Sequence, residues 1–569
     1  MFRGRKGLFW LIFICIVLQL MPNSPHSTSA QQVPRLLSAG NAHYGGADTF
    51  EQILDAAHLN LANLDDPLLA EPLLDRLSEM AFEAERRGAL LNAEQLFRLI
   101  LNHDPDRINE TAALGKVLVK QLKTSEAIEF LRSARRRFPH SAHLISLLGQ
   151  AYLQNEQESR AVNLFERAYS IDPHTPDVGY YLGERYLKWG NPVDALNAMM
   201  YAPTSTREIG WSQDLTMGGA LGKLNLLSEA TSHYRKVLSE SSNEYLTGLA
   251  AQYLNETNEA LVSREWLRGS LKITSQYDND PGIVPTFNSV GVPAKNSRSS
   301  AGNQYLLRLS YDLVRSYNYD VTLGYTFHST QNYRNHNFDL LDNVAYLLIQ
   351  RRLLWRDQPT YTGVRIDYDY LTLGNQSFVQ RPGVAPYITM LEDDWTSTTY
   401  HGRIGMYDYF GQGIFNGTAF DLDSLNGMVG MTRARKFGRE RNKLLSLGYQ
   451  FDVNSSDGRN NAYQGHKFTS NVLWNLPGDD VQMSMSAEYY LRKYNDPHTF
   501  FLIERSDREV LLVGSLLYEM RPQLFLTFDV VYDHNRSNLS LNTYKHLTYD
   551  LGVEYRFPRS WARRSREIP

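Results

Sequence analysis

The sequence of 569 residues holds a single cysteine, Cys15. It lies in the apolar stretch of residues 8–21, which Arg3, Arg5 and Lys6 precede and polar residues 22–30 follow. That order is the pattern of a secretory signal, and 14 apolar residues are few for a spanning helix. Residues 1–30 are expected to be the signal, with cleavage after Ala30. The mature chain then has no thiol, which excludes disulfides and thiol chemistry and leaves packing or closed hydrogen-bond ladders to stabilise an exported protein. Mean hydropathy is low, at -0.41, so a polytopic helical membrane protein is excluded; a membrane barrel, whose apolar residues alternate with polar ones, is not. Neither charge sign dominates, with 58 Lys and Arg against 62 Asp and Glu, and nucleic acid is not an expected partner. Zinc-protease, nucleophile-elbow, phosphate-loop and calcium-loop motifs are all missing. No catalytic residue, metal or cofactor is expected, and the protein reads as a non-enzyme.

What is present begins with a repeat. Ala93, Ala127, Ala161 and Ala195 are spaced by 34, as are Gly115, Gly149 and Gly183, and Pro105, Pro139 and Pro173. Gly149, Tyr152, Ala161, Phe165, Ala168 and Pro173 complete one unit. Small residues let paired helices approach, aromatics fill the gap between pairs, and proline ends the second helix. This pattern resembles the tetratricopeptide repeat, with four clear units over 74–207. A fifth follows, one residue out of phase, around Gly218, Leu221, Ala230 and Tyr234. A sixth is weaker, around Ala250, Tyr253 and Trp266, and residues 53–74 read as a capping helix or a decayed repeat. The resemblance implies a concave groove for a polypeptide partner, lined by Asn109, Lys116, Lys120, His143, Gln150, Gln154, Tyr180, Glu184 and Lys188. The alternative is that these polar side chains only solvate the first helices.

Past residue 270 the apolar period falls from 3.6 to 2. Tyr319, Val321, Leu323, Tyr325 and Phe327 interleave with Asp320, Thr322, Gly324, Thr326 and His328. Of the 35 tyrosines, 25 lie in this half. Ten-residue alternating segments rich in terminal aromatics are the pattern of a transmembrane antiparallel β-barrel. Thirteen strands are visible, and short turns alternate with long loops except between residues 409 and 428. A hidden strand within 413–422 restores the alternation and predicts about 14 strands. Residues 373–394 read as an external loop whose Glu392, Asp393 and Asp394 are solvated. The last strand, with Gly552, Tyr555 and Phe557, resembles the C-terminal signal by which outer-membrane proteins engage the barrel-assembly machinery, from which the tail of residues 558–569 departs.

Alternation also assigns lumen charges. The candidates are Arg308, Arg365, Arg403, Arg433, Arg435 and, with opposite sign, Asp312, Asp320, Asp367, Asp369, Asp452, Glu488 and Asp529. Lys272, Lys467, Arg556, Asp278, Asp533, Asp550 and Glu554 join them. This mixed lining disfavours a path dedicated to a polyanion. The chain is thus expected to divide into signal (1–30), linker and capping helix (31–73), periplasmic all-α solenoid (74–268), outer-membrane barrel (269–557) and periplasmic tail (558–569). The architecture resembles the surface-lipoprotein assembly modulators and, second, the exopolysaccharide-export porins. The first resemblance implies a diderm outer membrane, a periplasmic or secreted protein client and delivery to the cell surface. The second implies polysaccharide-synthesis partners; a passive porin or envelope scaffold is a further alternative.

Overall fold

A computed structural model describes residues 54–55, 67–263, 265–281, 299–438, 442–476 and 480–558. The expected signal, most of residues 31–73, residues 282–298 of the first long loop and the tail beyond Pro558 lie outside these residues. The chain is multidomain in class: a tetratricopeptide-type helical array precedes a closed antiparallel barrel of 14 strands. By compactness it divides at Glu110, with one unit before and a second from Thr111 onward.

In the first unit, α1 (Pro67–Arg86) and α2 (Leu90–His103) form a hairpin. Phe82 meets Phe97 edge-on at 5.2 Å, and Ala93, Leu96, Phe97 and Ile100 are buried. The first helix reaches back to Pro67, so no separate capping helix ends at Leu74. Arg107 closes the unit with ion pairs to Glu71 (2.8 Å) and Asp75 (2.9 Å).

The second unit holds α3 (Ile108–Lys120, from its fourth residue), α4 (Thr124–Arg137), α5 (Ala142–Gln154), α6 (Glu158–Ile171), α7 (Val178–Lys188), α8 (Pro192–Met199), α9 (Arg207–Lys223), α10 (Leu227–Glu240) and α11 (Glu244–Ser263). Within each hairpin a glycine of the first helix faces a large residue of the second: Gly115 with Leu131, Gly149 with Phe165, Gly183 with Met199 and Gly218 with Tyr234. The chain reverses through a left-handed residue at Leu122, Glu156, Gly190 and Asn225, with φ of 59°, 57°, 78° and 57°. That conformation is costly for residues with a Cβ, yet only one of these four is glycine. The weak sixth unit has a first helix, α11, but no second. Trp266 belongs instead to the barrel, where the Arg315 guanidinium lies 4.2 Å from its ring.

The strands are β1 (Leu267–Asp278), β2 (Ser300–Arg315), β3 (Tyr319–Asn332), β4 (Leu340–Trp355), β5 (Gln358–Leu373), β6 (Gln376–Leu391) and β7 (Thr396–Tyr409). They continue as β8 (Ser424–Phe437), β9 (Lys443–Ser456), β10 (Tyr463–Asn475), β11 (Val481–Pro497), β12 (Glu504–Arg521), β13 (Leu524–Ser537) and β14 (Tyr544–Phe557). Each pairs with its sequence neighbours, and β1 closes on β14 with Lys272 opposite Glu554. The first strand thus begins two residues before the expected boundary at 269. One rim, called near, carries α11 and the turns after β2, β4, β6, β8, β10 and β12; the far rim carries the others.

The fourteenth strand is β6, not a segment within 413–422. Residues 413–422 belong to the β7–β8 loop, with one 3-10 turn at Gly413–Phe415. Pro382 and Pro386 make β6 read as a loop, because proline has no N–H to donate. Pairing to β5 continues through both prolines, whereas pairing to β7 skips Arg381–Pro382 and Ala385–Pro386. The far-rim connection from β5 to β6 is then a tight turn at Gly374 and Asn375, both with positive φ.

Burial in the barrel is inverted relative to the helices. Ile273, Leu323, Ile366, Ile404, Val429, Leu447, Met485 and Leu551 are exposed on the outer rows, while Asp312, Asp320, Asp367, Asp452 and Asp550 are buried on the inner ones. Among the described residues no helix is long and apolar enough to cross a membrane.

Candidate functional site: the repeat helices, the barrel lumen and the joint between them

All nine groove candidates lie on first helices of hairpins. Asn109 is exposed at the start of α3. Lys116 is half-buried and Lys120 exposed on α3, and on α5 His143 is exposed and Gln150 half-buried. The others have structural partners as well. Gln154 Nε2 donates to the Val119 carbonyl at 3.0 Å, tying α5 to α3. Lys188 pairs with Glu158 at 3.2 Å, and Glu184 with Arg185 at 3.1 Å. The Tyr180 ring sits 5.3 Å from that of Tyr181, and burial pushes its hydroxyl pKa up. On α9, burial alone would raise the Asp214 pKa, but hydrogen bonds from His233 and Lys236, both at 2.8 Å, hold it below the ordinary range.

Register places Arg308, Asp312, Asp320, Arg365, Asp367, Asp369, Arg403, Asp452, Glu488 and Asp529 on inward rows. Arg433 and Arg435 are a correction. They continue the exposed row of Leu425, Val429 and Met431, so they face outward near the rim, where a long side chain can place its charge in polar surroundings. The inward charges are largely paired. Asp312 accepts from Arg268 at 2.6 Å and Arg315 at 3.0 Å, and Asp320 pairs with Arg352 at 2.8 Å. Lys467 pairs with Glu488 at 2.7 Å, Lys272 with Asp529, His546 with Asp278 at 2.9 Å and Arg556 with Glu554 at 2.8 Å. Asp452 accepts from the Tyr490 hydroxyl at 2.7 Å. Such pairs brace facing strands more than they select an ion.

Sequence reasoning did not identify Arg352, Arg381 or Arg492 as lumen residues. The run Tyr346, Leu348, Gln350, Arg352 carried the parity that finds the first; Arg381 was lost with β6. Several tyrosines also point inward rather than to the outer girdle. Gly324 makes room for Tyr346, Gly363 for Tyr387 and Gly465 for Tyr490. Tyr555 is exposed on the outer face, its ring 6.1 Å from that of Phe557, and a Cβ on Gly552 would strike the Ile273 backbone of β1.

The least anticipated contacts join helices to the near rim. Glu392, Asp393 and Asp394 form the near turn between β6 and β7, not an external loop. The Asp394 carboxylate accepts the Val193 N–H at 3.1 Å and the Asp194 N–H at 3.0 Å, at the start of α8. Asn191, the N-cap residue of α8, supplies no capping bond from its own side chain, so the barrel provides the anion that unsatisfied helix-start N–H groups attract. The Tyr361 hydroxyl donates to the Leu224 carbonyl at 2.8 Å, Tyr201 bonds Asp357, and Tyr317 bonds Asn258. Leu354 and Leu391, on inward rows of β4 and β6, pack against an apolar cluster containing Leu196, Met199, Leu221 and Tyr234. The last repeats therefore seat on the near rim along the arc from β2 to β7.

This is a tetratricopeptide-type helical array joined to a barrel. No protein-family model matches the sequence, and no curated protein does. Among solved structures it is similar to MamA, at 21% identity over 32% of this chain and 94% of that one, TM-score 0.23. TTC0263, a tetratricopeptide protein of Thermus thermophilus, shares 18% over 32% and 99%, TM-score 0.27. PilF of Pseudomonas aeruginosa shares 17% over 34% and 92%, TM-score 0.27.

Proposed function

We propose that the protein is an outer-membrane export component. Its repeat helices recruit a polypeptide client in the periplasm, and its barrel delivers that client to the cell surface. The observation that supports this most is the joint: the helices that carry Tyr180, Glu184 and Lys188 continue directly into those seated on the near rim. A client held there is presented at the mouth of the lumen. Membrane residence is supported by the outer rows of Ile, Leu, Val and Tyr, since hydrocarbon satisfies apolar side chains and a closed barrel leaves no unpaired strand edge. The mature chain would insert through the barrel-assembly machinery using the Gly552, Tyr555 and Phe557 end. The finer resemblance to surface-lipoprotein assembly modulators names the client class as a lipoprotein.

The test is deletion in the host, followed by protease accessibility of surface lipoproteins and by surface-glycan staining. Loss of lipoprotein exposure with glycan intact is expected. Loss of glycan alone moves the assignment to polysaccharide export, and no change in either overturns export altogether.

A further inference from the structure

The wall formed by β4 to β7 contains a recess of about 350 Å³ open to the inner face. Its charges are sorted into two ends. At one end Arg403 Nη2 lies 2.9 Å from Asp367, and Arg365 Nε approaches the same carboxylate only to 3.6 Å. Two guanidiniums share one carboxylate, an excess of one positive charge. Arg365 lies 4.3 Å over the Tyr346 ring, and its side chain remains 43% exposed, with Nε lacking a hydrogen-bond partner. At the other end Arg381 Nη2 lies 2.6 Å from Asp369 and 3.9 Å from Asp342. Two carboxylates share one guanidinium there. Asp369 Oδ1 and Asp342 Oδ1 are both buried without a hydrogen-bond donor.

Space for a ligand comes from small residues. A Cβ on Gly383 would come within 2.7 Å of the Arg403 guanidinium, and one on Gly405 within 3.2 Å, so Arg403 lies flat across two glycines. Ala385 leaves the floor low. The volume falls in the range of small-molecule sites, roughly 300–1,000 Å³. Asp367 and Asp369 are two residues apart on β5, about 7 Å along the strand. Arg365 leans toward Asp367, so the two ends are separated by a similar span.

We infer that this recess binds a zwitterionic peptide-type ligand, its carboxylate at Arg365 and its ammonium at Asp369 and Asp342. A simple anion would satisfy only one end and be repelled at the other. A neutral polyol would satisfy neither charge. A free short peptide and a chain segment with opposite charges on nearby side chains offer the same chemistry. The site stands independently of the export reading.

The full chain in detergent micelles, titrated calorimetrically, tests this. The probes are dialanine, N-acetyl-dialanine, dialanine amide, glucose and acetyl-Lys-Glu-amide. Dialanine is expected to bind about tenfold more tightly than either end-blocked form, as a charge-assisted bond at each end requires. Arg365→Gln should erase the preference over dialanine amide, and Asp369→Asn the preference over N-acetyl-dialanine. A misfolded variant would lose both together and show altered strand circular dichroism, so the selective loss is specific to the site. Lys467→Gln, on a different stretch of wall, should change nothing. Tighter binding of acetyl-Lys-Glu-amide than dialanine assigns the site to a chain segment, and the reverse to a free peptide. Equal binding of zwitterion and end-blocked forms, a preference for glucose, or no binding of either charged peptide overturns the proposal. None of these results bears on lipoprotein exposure in the deletion strain.

Discussion

A Cβ on Gly149 would come within 2.8 Å of the Phe165 ring, and one on Gly324 would run into the ring of Tyr346. The first pair joins two helices of a hairpin and the second joins two strands. In the helices the ring is fully buried and the gain is removal from water. In the barrel the ring stays partly exposed on the inner face, where Arg365 stacks on it. The gain there is position: the tyrosine steadies a guanidinium and spans neighbouring strands. One steric device therefore serves cohesion in one region and arrangement of charge in the other.

That contrast can be broken by mutation. Phe165→Ala should cost about 3–5 kcal/mol, as for a fully buried aromatic, with loss of the helical melting transition while strand signal persists. Asp394→Ala removes a cap that joins the two regions and should cost about 1–2 kcal/mol. Hydrogen exchange at Val193 to Leu196 is the readout, and protection of β6 and β7 should be unchanged. Tyr346→Ala should cost only about 1 kcal/mol, the scale of a cross-strand aromatic pair, read from barrel unfolding in urea. A cost equal to that of Phe165→Ala would remove the distinction between the regions. Leu122→Gly relieves a left-handed residue that is 72% exposed and should stabilise the helices by about 0.5–1 kcal/mol in thermal melts.

The smallest effect is one of pH. The Asp214 carboxylate is held below its ordinary value of 3.8, so its contribution is complete above that value. It is lost as pH falls through the lowered folded-state value. Asp214→Asn should flatten the acid limb of helix stability in that window and lower stability near neutrality, where the carboxylate's contribution is complete.

The helices were legible because three residue types recur at one spacing, each with its own steric role. Even so, Leu122 and Glu156 gave no hint of the left-handed reversal they adopt. The barrel was legible from alternation, and its count of strands was right for a partly wrong reason. Pro382 and Pro386 concealed β6, and residues 413–422 supplied a false substitute. Losing β6 also turned its near turn into an external loop, which hid the role of Asp394. Arg433 and Arg435 show a further limit: charge at a rim does not reveal which face it occupies. The recess needed structure, because Arg365, Arg381 and Arg403 come from three strands and only register brings them together.

The cap on α8 has a consequence in time. Its carboxylate lies about 200 residues downstream of the helix it completes. On the ribosome the repeats emerge first, so α8 begins life with its leading amides answered only by water. They are satisfied when the β6–β7 hairpin takes its place in the wall. Protection at Val193 and Asp194 thus serves as an internal clock for maturation, set only once the second half of the chain has folded.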